Sequence, residues 1–393
     1  MKPVRGACGG VPQAFGQPKC LTAVLSRHLG SLKAALPPFS MTTAWRLAIG
    51  ILILASATRA HAQEFEVSMP VTLTAEAIQT HRLQTEDRTA VPYSAAFRAL
   101  LYPTLKFSEN WFVSATIQFS STPFFYYDAF SADRAVEHQI LQAFIGYKHN
   151  TSFGTFLVKA GQLTTAFGAF PPHYDDADNP LIDQPLTYLP LLPCRVTRCS
   201  PDSDDEGLAP ATLYGLPGVE IDASIHRLDL RLQVTNSSPT NPQSLLSDSQ
   251  HVQWTAGGGY TFTNGFRIGM SGFRGPYLER GVIGPPTANG LGVDAQWARG
   301  RVSVTGEVAR FVFVSPVRSG YLETKLTITP RLFVAGRVSY LAPSLAATEG
   351  AAGYRINRWQ LLKVGYEWLK NDGVRGTRDN VLGVQFVTNI QHY

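Results

Sequence analysis

The chain has 393 residues, with 34 Lys and Arg against 29 Asp and Glu, a formal net charge of +5 and an isoelectric point near 9.0. Residues 1–62 contain seven of the basic residues and no acidic one, and subtracting those seven leaves 27 basic against 29 acidic residues, a net charge of −2. The basic character therefore belongs to the N-terminal segment, which removes any electrostatic argument for nucleic acid as a partner of the rest.

The end of this basic segment has the pattern of a secretory signal. Arg46 precedes the apolar run Leu47–Ala57, and Ala60 and Ala62 place small residues at the two recognition positions of a cleavage site. The pattern predicts a signal peptide over 41–62, and its apolar run is too short to span a bilayer.

The residues on either side of this signal complete the predicted organisation. Residues 1–40 indicate a translation start assigned too early, and an unusually long basic region ahead of the signal is the alternative. Residues 63–393 show no linker, low-complexity tract or shift in composition. They are therefore predicted to form one domain.

In this domain apolar residues alternate with polar ones over long segments. In the run LDLRLQVT, Leu228, Leu230 and Leu232 fall on one face, and Asp229 and Arg231 fall on the other. Such alternation predicts strands with one apolar and one polar face. Sixteen strands are predicted, at 65–77, 94–107, 111–127, 138–149, 155–167, 212–225, 227–236, 251–262, 266–275, 289–298, 301–313, 320–329, 331–341, 348–356, 358–369 and 379–391.

Short and long connections alternate between these segments. Very short ones, such as 108–110 and 226–227, alternate with long polar ones rich in Pro and Gly, such as 168–211. Short turns on one side, long loops on the other and an even strand count are typical of outer-membrane barrels. The predicted fold class is therefore all-β, a transmembrane antiparallel up-and-down β-barrel of about sixteen strands.

A soluble sandwich or propeller is the alternative fold. The predicted strands are long for soluble sheets, which favour strands of about 5–6 residues. Aromatic residues such as Tyr93, Trp111 and Trp368 also gather at strand ends, where a membrane interface would place them. Both features favour the barrel.

Two short motifs carry a family resemblance. The segment AGQLTTAFGAF (Ala160–Phe170) and the closing segment RDNVLGVQFV (Arg378–Val387) are similar to those of bacterial outer-membrane porins. Among these, the chain resembles the phosphate-selective porin O/P type. The resemblance implies a bacterial outer-membrane location and a water-filled channel for passive diffusion of small polar or ionic solutes. It also implies the lipid bilayer and small solutes as partners, a homotrimer and no cofactor.

The connection 168–211 is the third long loop in this order of strands. In the porins that the chain resembles, the third loop folds into the barrel and narrows the pore. Cys194 and Cys199 are predicted to form a disulfide within it, because the chain is exported. A loop on the outer surface is the alternative. The predicted constriction residues are Asp175, Asp176, Asp178, Asp183, Arg195 and Arg198.

The alternation also assigns residues to the lumen face. Basic residues outnumber acidic ones there, whereas the third loop is acidic. An acidic loop facing a basic wall would create a transverse field that favours small polar solutes. The predicted pore-wall residues are Arg98, Lys106, Lys148, Lys159, Arg231, Arg267, Glu307, Glu323, Lys325, Arg337, Lys363 and Glu367.

Other chemistry finds little support in the sequence. Asp202, Asp204 and Glu206 are a weak Ca²⁺ candidate, because they lack the spacing of an EF-hand loop, and an ordinary acidic loop tip is the alternative. No G-x-S-x-G, H-E-x-x-H or C-x-x-C motif is present, and the glycine triplet Gly257–Gly259 lies within a predicted strand. The chain is predicted not to be an enzyme. An adhesin or structural anchor, and a barrel enzyme, are the alternative functions.

Overall fold

The computed structural model describes residues 65–81, 84–85, 88–89, 93–121, 124, 136–189, 210–237, 252–276, 287–313, 315–342, 345–371 and 377–390. The predicted leader, 1–62, lies outside these residues. None of the helices among the described residues has the length and apolar character needed to cross a membrane.

The described residues form sixteen barrel strands, one for each predicted segment. The first two are each interrupted once, and all sixteen run along the chain in order. The strands are β1 (Glu66–Ser68 and Val71–His81), β2 (Tyr93–Leu101 and Thr104–Lys106), β3 (Trp111–Ser121), β4 (Val136–Asn150), β5 (Gly154–Leu163), β6 (Leu216–Ile225), β7 (Leu228–Thr235), β8 (Gln253–Thr261), β9 (Phe266–Pro276), β10 (Thr287–Arg299), β11 (Val302–Val312), β12 (Pro316–Thr327), β13 (Leu332–Leu341), β14 (Leu345–Arg355), β15 (Gln360–Asn371) and β16 (Thr377–Ile390).

The sheet closes on itself. Each strand pairs antiparallel with the next, and β16 pairs with β1 from Val71↔Ile390 to His81↔Asn380. Closure leaves no edge strand with unpaired N–H and C=O groups, which is the condition for a sheet to span a bilayer. The prediction of a closed sixteen-stranded antiparallel barrel is confirmed.

Prolines cause the interruptions in the first two strands. Pro70 lies between the two parts of β1, and Pro103 lies between the two parts of β2. Proline has no N–H to give to the ladder, so regular pairing stops there. The carbonyl of each proline still accepts a bond, from the Tyr102 N–H at 2.9 Å and from the Ala115 N–H at 3.0 Å.

The two faces of the wall differ in chemistry. On β15 the outward side chains Val364, Tyr366 and Trp368 are 43%, 51% and 40% exposed, whereas the inward Lys363 and Glu367 are 0% and 9% exposed. Alternation along a strand puts one set toward lipid and the other toward the lumen. The outer face is therefore an apolar surface suited to a bilayer.

An arginine on this outer face should impair the barrel. We expect Val364→Arg to lower the free energy of unfolding in lipid vesicles by about 2–4 kcal/mol, because the guanidinium would enter the hydrocarbon. Gln296→Arg, on the inward face of β10 beside a lumen cavity, is the control and should change it little. Equal losses in the two variants would show that the assignment of faces is wrong.

The third long loop is longer than predicted. The sequence places the end of β5 at residue 167 and the start of β6 at 212, but β5 ends at Leu163 and β6 begins at Leu216. Residues 164–167 are small or favour strands, like the segment before them, yet they leave the wall, and the Thr165 N–H donates to the Leu213 carbonyl within the loop at 2.8 Å. The described parts of this connection are 164–189, here named the lumen loop, and 210–215.

Candidate functional site

The lumen loop contacts the inward side chains of strands around most of the barrel. Its groups bond to Thr74 of β1, Ser271 of β9, Glu307 of β11, Glu349 of β14 and Lys363 of β15. Inward side chains on opposite sides of a closed barrel can be reached together only from within it. The lumen loop therefore lies inside the barrel.

The loop enters the lumen through a turn at Gly168. This residue has φ of +81°, a conformation that glycine adopts without steric cost. Its N–H donates to Ser271 Oγ at 3.0 Å, and the next N–H, of Ala169, donates to Glu307 Oε2 at 2.9 Å. The hydroxyl of Tyr188 also donates to Glu307. A Cβ at position 168 would lie 1.9 Å from the oxygen of that hydroxyl. Only glycine fits at this turn.

Apolar packing fixes the same entry point. Phe167 is fully buried, with its ring centroid 5.2 Å from that of Phe273 and 5.6 Å from that of Phe311. Glycines in the wall leave room for Phe167 and for the residue before it. A Cβ at Gly292 would lie 3.1 Å from the Phe167 ring, and a Cβ at Gly257 would lie 2.7 Å from the Ala166 carbonyl oxygen. The glycine triplet of β8 therefore has a packing role, since glycine permits close backbone approach.

Asp176 anchors the middle of the loop to β1 and β2. It is fully buried, and its carboxylate lies 2.6 Å from Arg98 Nη2 and accepts from Arg98 Nε at 3.1 Å and from Thr74 Oγ1 at 2.7 Å. The Arg98 guanidinium also lies 4.7 Å from the Tyr174 ring centroid. Both charges are thus compensated, which burial of an ion pair requires.

Lys363 holds the next turn of the loop from β15. Its side chain is fully buried, and Nζ donates to the carbonyls of Asp176 at 3.0 Å, Asn179 at 3.2 Å and Leu181 at 2.9 Å. An ammonium group has three N–H donors, and three loop carbonyls accept them. The backbone of residues 176–181 is therefore folded around the end of this side chain.

A third anchor comes from β13 and β14. Arg337 Nη2 donates to Glu349 Oε2 at 2.5 Å and to the Asp183 carbonyl at 2.6 Å. Glu349 Oε1 in turn accepts the N–H groups of Ile182 at 2.9 Å and Asp183 at 3.3 Å. The Arg337–Glu349 pair thus donates a hydrogen bond to one loop carbonyl and accepts hydrogen bonds from two loop N–H groups.

The anchors correct the predicted pore wall. Five of the predicted residues point inward but are covered by the lumen loop, so they contact protein where the sequence places them beside water. The cause is the loop itself, whose buried side chains and backbone occupy the space in front of them. These five are Arg98, Glu307, Arg337, Lys363 and Glu367.

The loop carboxylates divide in the same way. Asp176 and Asp183 are buried, whereas Asp178 is exposed and Asp175 is half-buried, with one carboxylate oxygen accepting from Thr72 Oγ1 at 2.8 Å and from the Tyr102 hydroxyl. Among the described carboxylates of the loop, Asp175 and Asp178 are therefore the two that can present charge to solutes. The predicted Arg195, Arg198, the Cys194–Cys199 disulfide and the Ca²⁺ candidates Asp202, Asp204 and Glu206 lie outside the described residues.

The remaining predicted wall residues occupy two regions. Lys106, paired with Glu66 at 2.8 Å, and the exposed Lys148 lie at the short-turn end of the barrel. Deeper in the lumen, each of the other five has a charged or aromatic neighbour on the wall. These are Lys159, Arg231, Arg267, Glu323 and Lys325.

Open space remains between the lumen loop and the wall formed by β2 to β10. One cavity of about 320 Å³ is lined by Pro172, Asp175 and Asp178 from the loop and by Lys159 and Arg231 from the wall, among others. A second of about 220 Å³ shares Pro172 and Arg231 with it. We name these two adjoining cavities the passage. It is polar and bounded by the loop on one side.

Asp178 is one of the two loop aspartates that line this space. Its partial burial and the neighbouring Asp175 carboxylate raise its pKa above the ordinary value, although His173, Lys325 and Arg355 oppose the shift. A raised pKa means that the charge is lost at a higher pH than for a free aspartate.

This shift predicts pH-dependent ion selectivity. As pH falls toward the ordinary aspartate pKa of about 3.9, the negative charge of Asp178 disappears early, and permeability should shift toward anions. We expect Asp178→Asn to show a smaller shift in reversal potential over the same range. Both proteins are compared in a His173→Gln background, because His173 faces the same carboxylate. Identical pH profiles would contradict the assignment.

No family model matches the sequence, and no curated protein matches it. Solved structures do match. The OmpF of Salmonella typhi in complex with daunomycin aligns with a TM-score of 0.56 and 11% identity, over 84% of this chain and 99% of that one. The anion-selective porin from Comamonas acidovorans aligns with 0.56 and 9%, over 83% and 100%. A mutant of Rhodopseudomonas blastica porin aligns with 0.50 and 11%, over 83% and 100%.

The fold is therefore that of the bacterial outer-membrane porins. Identities near 10% extend the likeness to the fold alone. A closed barrel with an apolar outer face, short turns on one side and long loops on the other belongs in the bacterial outer membrane. The predicted location agrees with this.

Proposed function

We propose that the chain is an outer-membrane porin, a water-filled channel for passive diffusion of small polar or ionic solutes. The observation that carries the proposal is the passage, a polar space left between a loop clamped inside a closed barrel and the opposite wall. A barrel of sixteen strands is wide enough for an aqueous channel, and the lumen loop narrows it.

The three anchors that join the lumen loop to the wall, here named the clamp, favour a channel with a fixed constriction. The loop is attached by one anchor from β1 and β2, one from β13 and β14 and one from β15, so its position does not depend on a single contact. The pore wall then has two tasks, divided between different residues: charges beneath the loop hold it, and charges facing the passage meet the solute.

The porin type, the oligomeric state and the partners are further parts of this proposal. The likeness to the phosphate-selective porin O/P type rests on two short motifs and would favour anions. Assembly as a homotrimer is implied by the resemblance, and the lipid bilayer and small solutes are the other proposed partners. We propose no catalytic activity and no cofactor.

Conductance tests the proposal directly. Purified protein added to a planar lipid bilayer should produce discrete current steps whose size increases with salt concentration. Vesicles that contain it should also admit small uncharged sugars but exclude large ones. A folded barrel that inserts without conductance and admits no sugar would instead fit the alternative of an adhesin or anchor with a plugged lumen.

A further inference from the structure

We propose that the passage prefers cations, both inorganic and small organic ones that carry an ammonium group, over anions of similar size. This inference rests on the proposed function. It concerns selectivity, which the fold leaves open, since one of the aligned structures is described as anion-selective.

The first observation is that wall carboxylates already neutralise the wall bases on this side. Lys159 Nζ lies 2.7 Å from Glu220 Oε1 and 2.7 Å from Asp222 Oδ2. Asp222 also lies 4.0 Å from the Nε of Arg231, across the β6–β7 pair. Lys159, which is paired at this short distance, attracts a passing anion far less than a free lysine does, whereas the contact of Arg231 is longer.

Arg267 is held in the same manner. Its guanidinium donates to Asp229 through Nε at 3.1 Å and Nη2 at 2.6 Å, and to Asp294 through Nη1 at 2.6 Å. The neighbouring wall is shaped for this arrangement, because a Cβ at Gly259 would lie 2.4 Å from Nη2 and one at Gly269 would lie 2.4 Å from Asp294 Oδ2. The bonding is bidentate and fixed, which makes it strong.

The balance of charge is then acidic. Among the described residues, three bases of this wall (Lys159, Arg231 and Arg267) face four wall carboxylates (Glu220, Asp222, Asp229 and Asp294). The loop adds Asp175 and Asp178. Three positive charges against six negative ones leave a net charge of −3. The groups that bond Asp175 are neutral hydroxyls and a backbone N–H, so they leave its charge in place.

Two further bases near Asp178 are not among the described residues that line the passage. Arg355 and Arg358 line a separate cavity of about 360 Å³ on the other side of Asp178. Its lining includes Leu361 and Val387, which pack with the buried Leu181 of the loop. Neither arginine is among the residues that line the passage. Lys325 is not among them either, and its ammonium group lies 4.6 Å from the Phe333 ring centroid.

Clustered negative charge at a narrow point concentrates cations and repels anions. The charge pattern therefore reverses what the resemblance to phosphate-selective porins implies. It also replaces the field between a basic wall and an acidic loop that the sequence predicts, since the bases of this wall are already paired.

Reversal potentials under a KCl gradient test the inference. The wild-type channel should show a several-fold preference for K⁺ over Cl⁻. Asp229→Asn combined with Asp294→Asn should bring the ratio close to one, because Arg267 then faces the passage without a carboxylate partner. Lys159→Gln should move the ratio in the opposite direction. Glu66→Gln, at the short-turn end and away from the passage, is the matched control and should leave it unchanged.

The outcomes separate this inference from the proposed function. Each variant is first shown to be folded by its faster migration on gels before boiling. A wild-type channel with equal or greater permeability for Cl⁻ than for K⁺ would overturn the cation preference and leave the porin function in place. The same conclusion would follow if all variants kept the wild-type K⁺/Cl⁻ permeability ratio. Folded protein without any conductance would overturn the proposed function itself.

Discussion

Replacing Lys363 with Met is expected to free the lumen loop from β15 and to turn a steady single-channel current into one that flickers between levels. Methionine has a similar length but no donor, so three loop carbonyls lose their partner inside the barrel. Each buried acceptor left unsatisfied costs about 1–3 kcal/mol. The loop should therefore sample positions away from the wall, and the mean conductance should rise as the passage widens.

The control for this prediction is Lys106→Met. Lys106 also faces the lumen side of a strand, but it is half exposed at the short-turn end and is paired with Glu66 alone. Its current trace should match that of the wild type. If Lys363→Met conducts with wild-type mean current and noise, the ammonium group does not hold the loop in place.

The second large effect is expected at Asp176. Asp176→Leu removes the carboxylate that lies 2.6 Å from Arg98 Nη2, and both side chains are about 1% exposed. Removing one partner of a buried ion pair costs about 3–5 kcal/mol, because the other charge stays buried and loses that partner. We expect a loss of this size in the free energy of unfolding measured by urea in detergent micelles.

Asp178→Leu is the matched control, because it lies two residues away on the same loop and is exposed. It should leave the unfolding transition almost unchanged while it alters ion selectivity. The two aspartates would thus separate a structural carboxylate from one that acts on solutes. Similar losses of stability in both variants would mean that the Arg98–Asp176 contact contributes little.

The barrel itself could be predicted from the sequence because its signal is local. A period of two in residues such as Leu228, Leu230 and Leu232 predicts the strand and its apolar face, and sixteen predicted segments match sixteen strands. The end of β5 could not be predicted, since residues 164–167 are small or favour strands like the segment before them. Gly168 was the available signal, because a glycine there permits the turn that takes the chain into the lumen.

The clamp could not be predicted, because its contacts join residues far apart in sequence. Arg98 and Asp176 are separated by 78 residues, and the Nζ of Lys363 bonds to a carbonyl 187 residues away. Alternation assigns Lys363 to the lumen but cannot distinguish a base that faces water from one that a loop covers. Glu349, which bonds to the loop backbone, was missed for the same reason.

One partial signal for the buried loop was present. The glycine triplet Gly257–Gly259 weakens a strand and so indicates that something approaches the backbone closely. In the structure, Gly257 faces the Ala166 carbonyl and Gly259 faces the Arg267 guanidinium. Small residues inside an otherwise alternating strand could therefore point to a loop or a large side chain in the lumen.

Covalent blockade of the passage shows whether solutes pass beside the lumen loop. A bulky thiol-specific reagent is added during single-channel recording of Asp178→Cys, in a background in which Cys194 and Cys199 are replaced by Ser. If solutes pass beside the lumen loop, each channel should lose a large part of its current in one step. Glu109→Cys, in the exposed turn between β2 and β3, should react without loss of current. Full modification at position 178 with unchanged current would contradict a passage that runs past this loop.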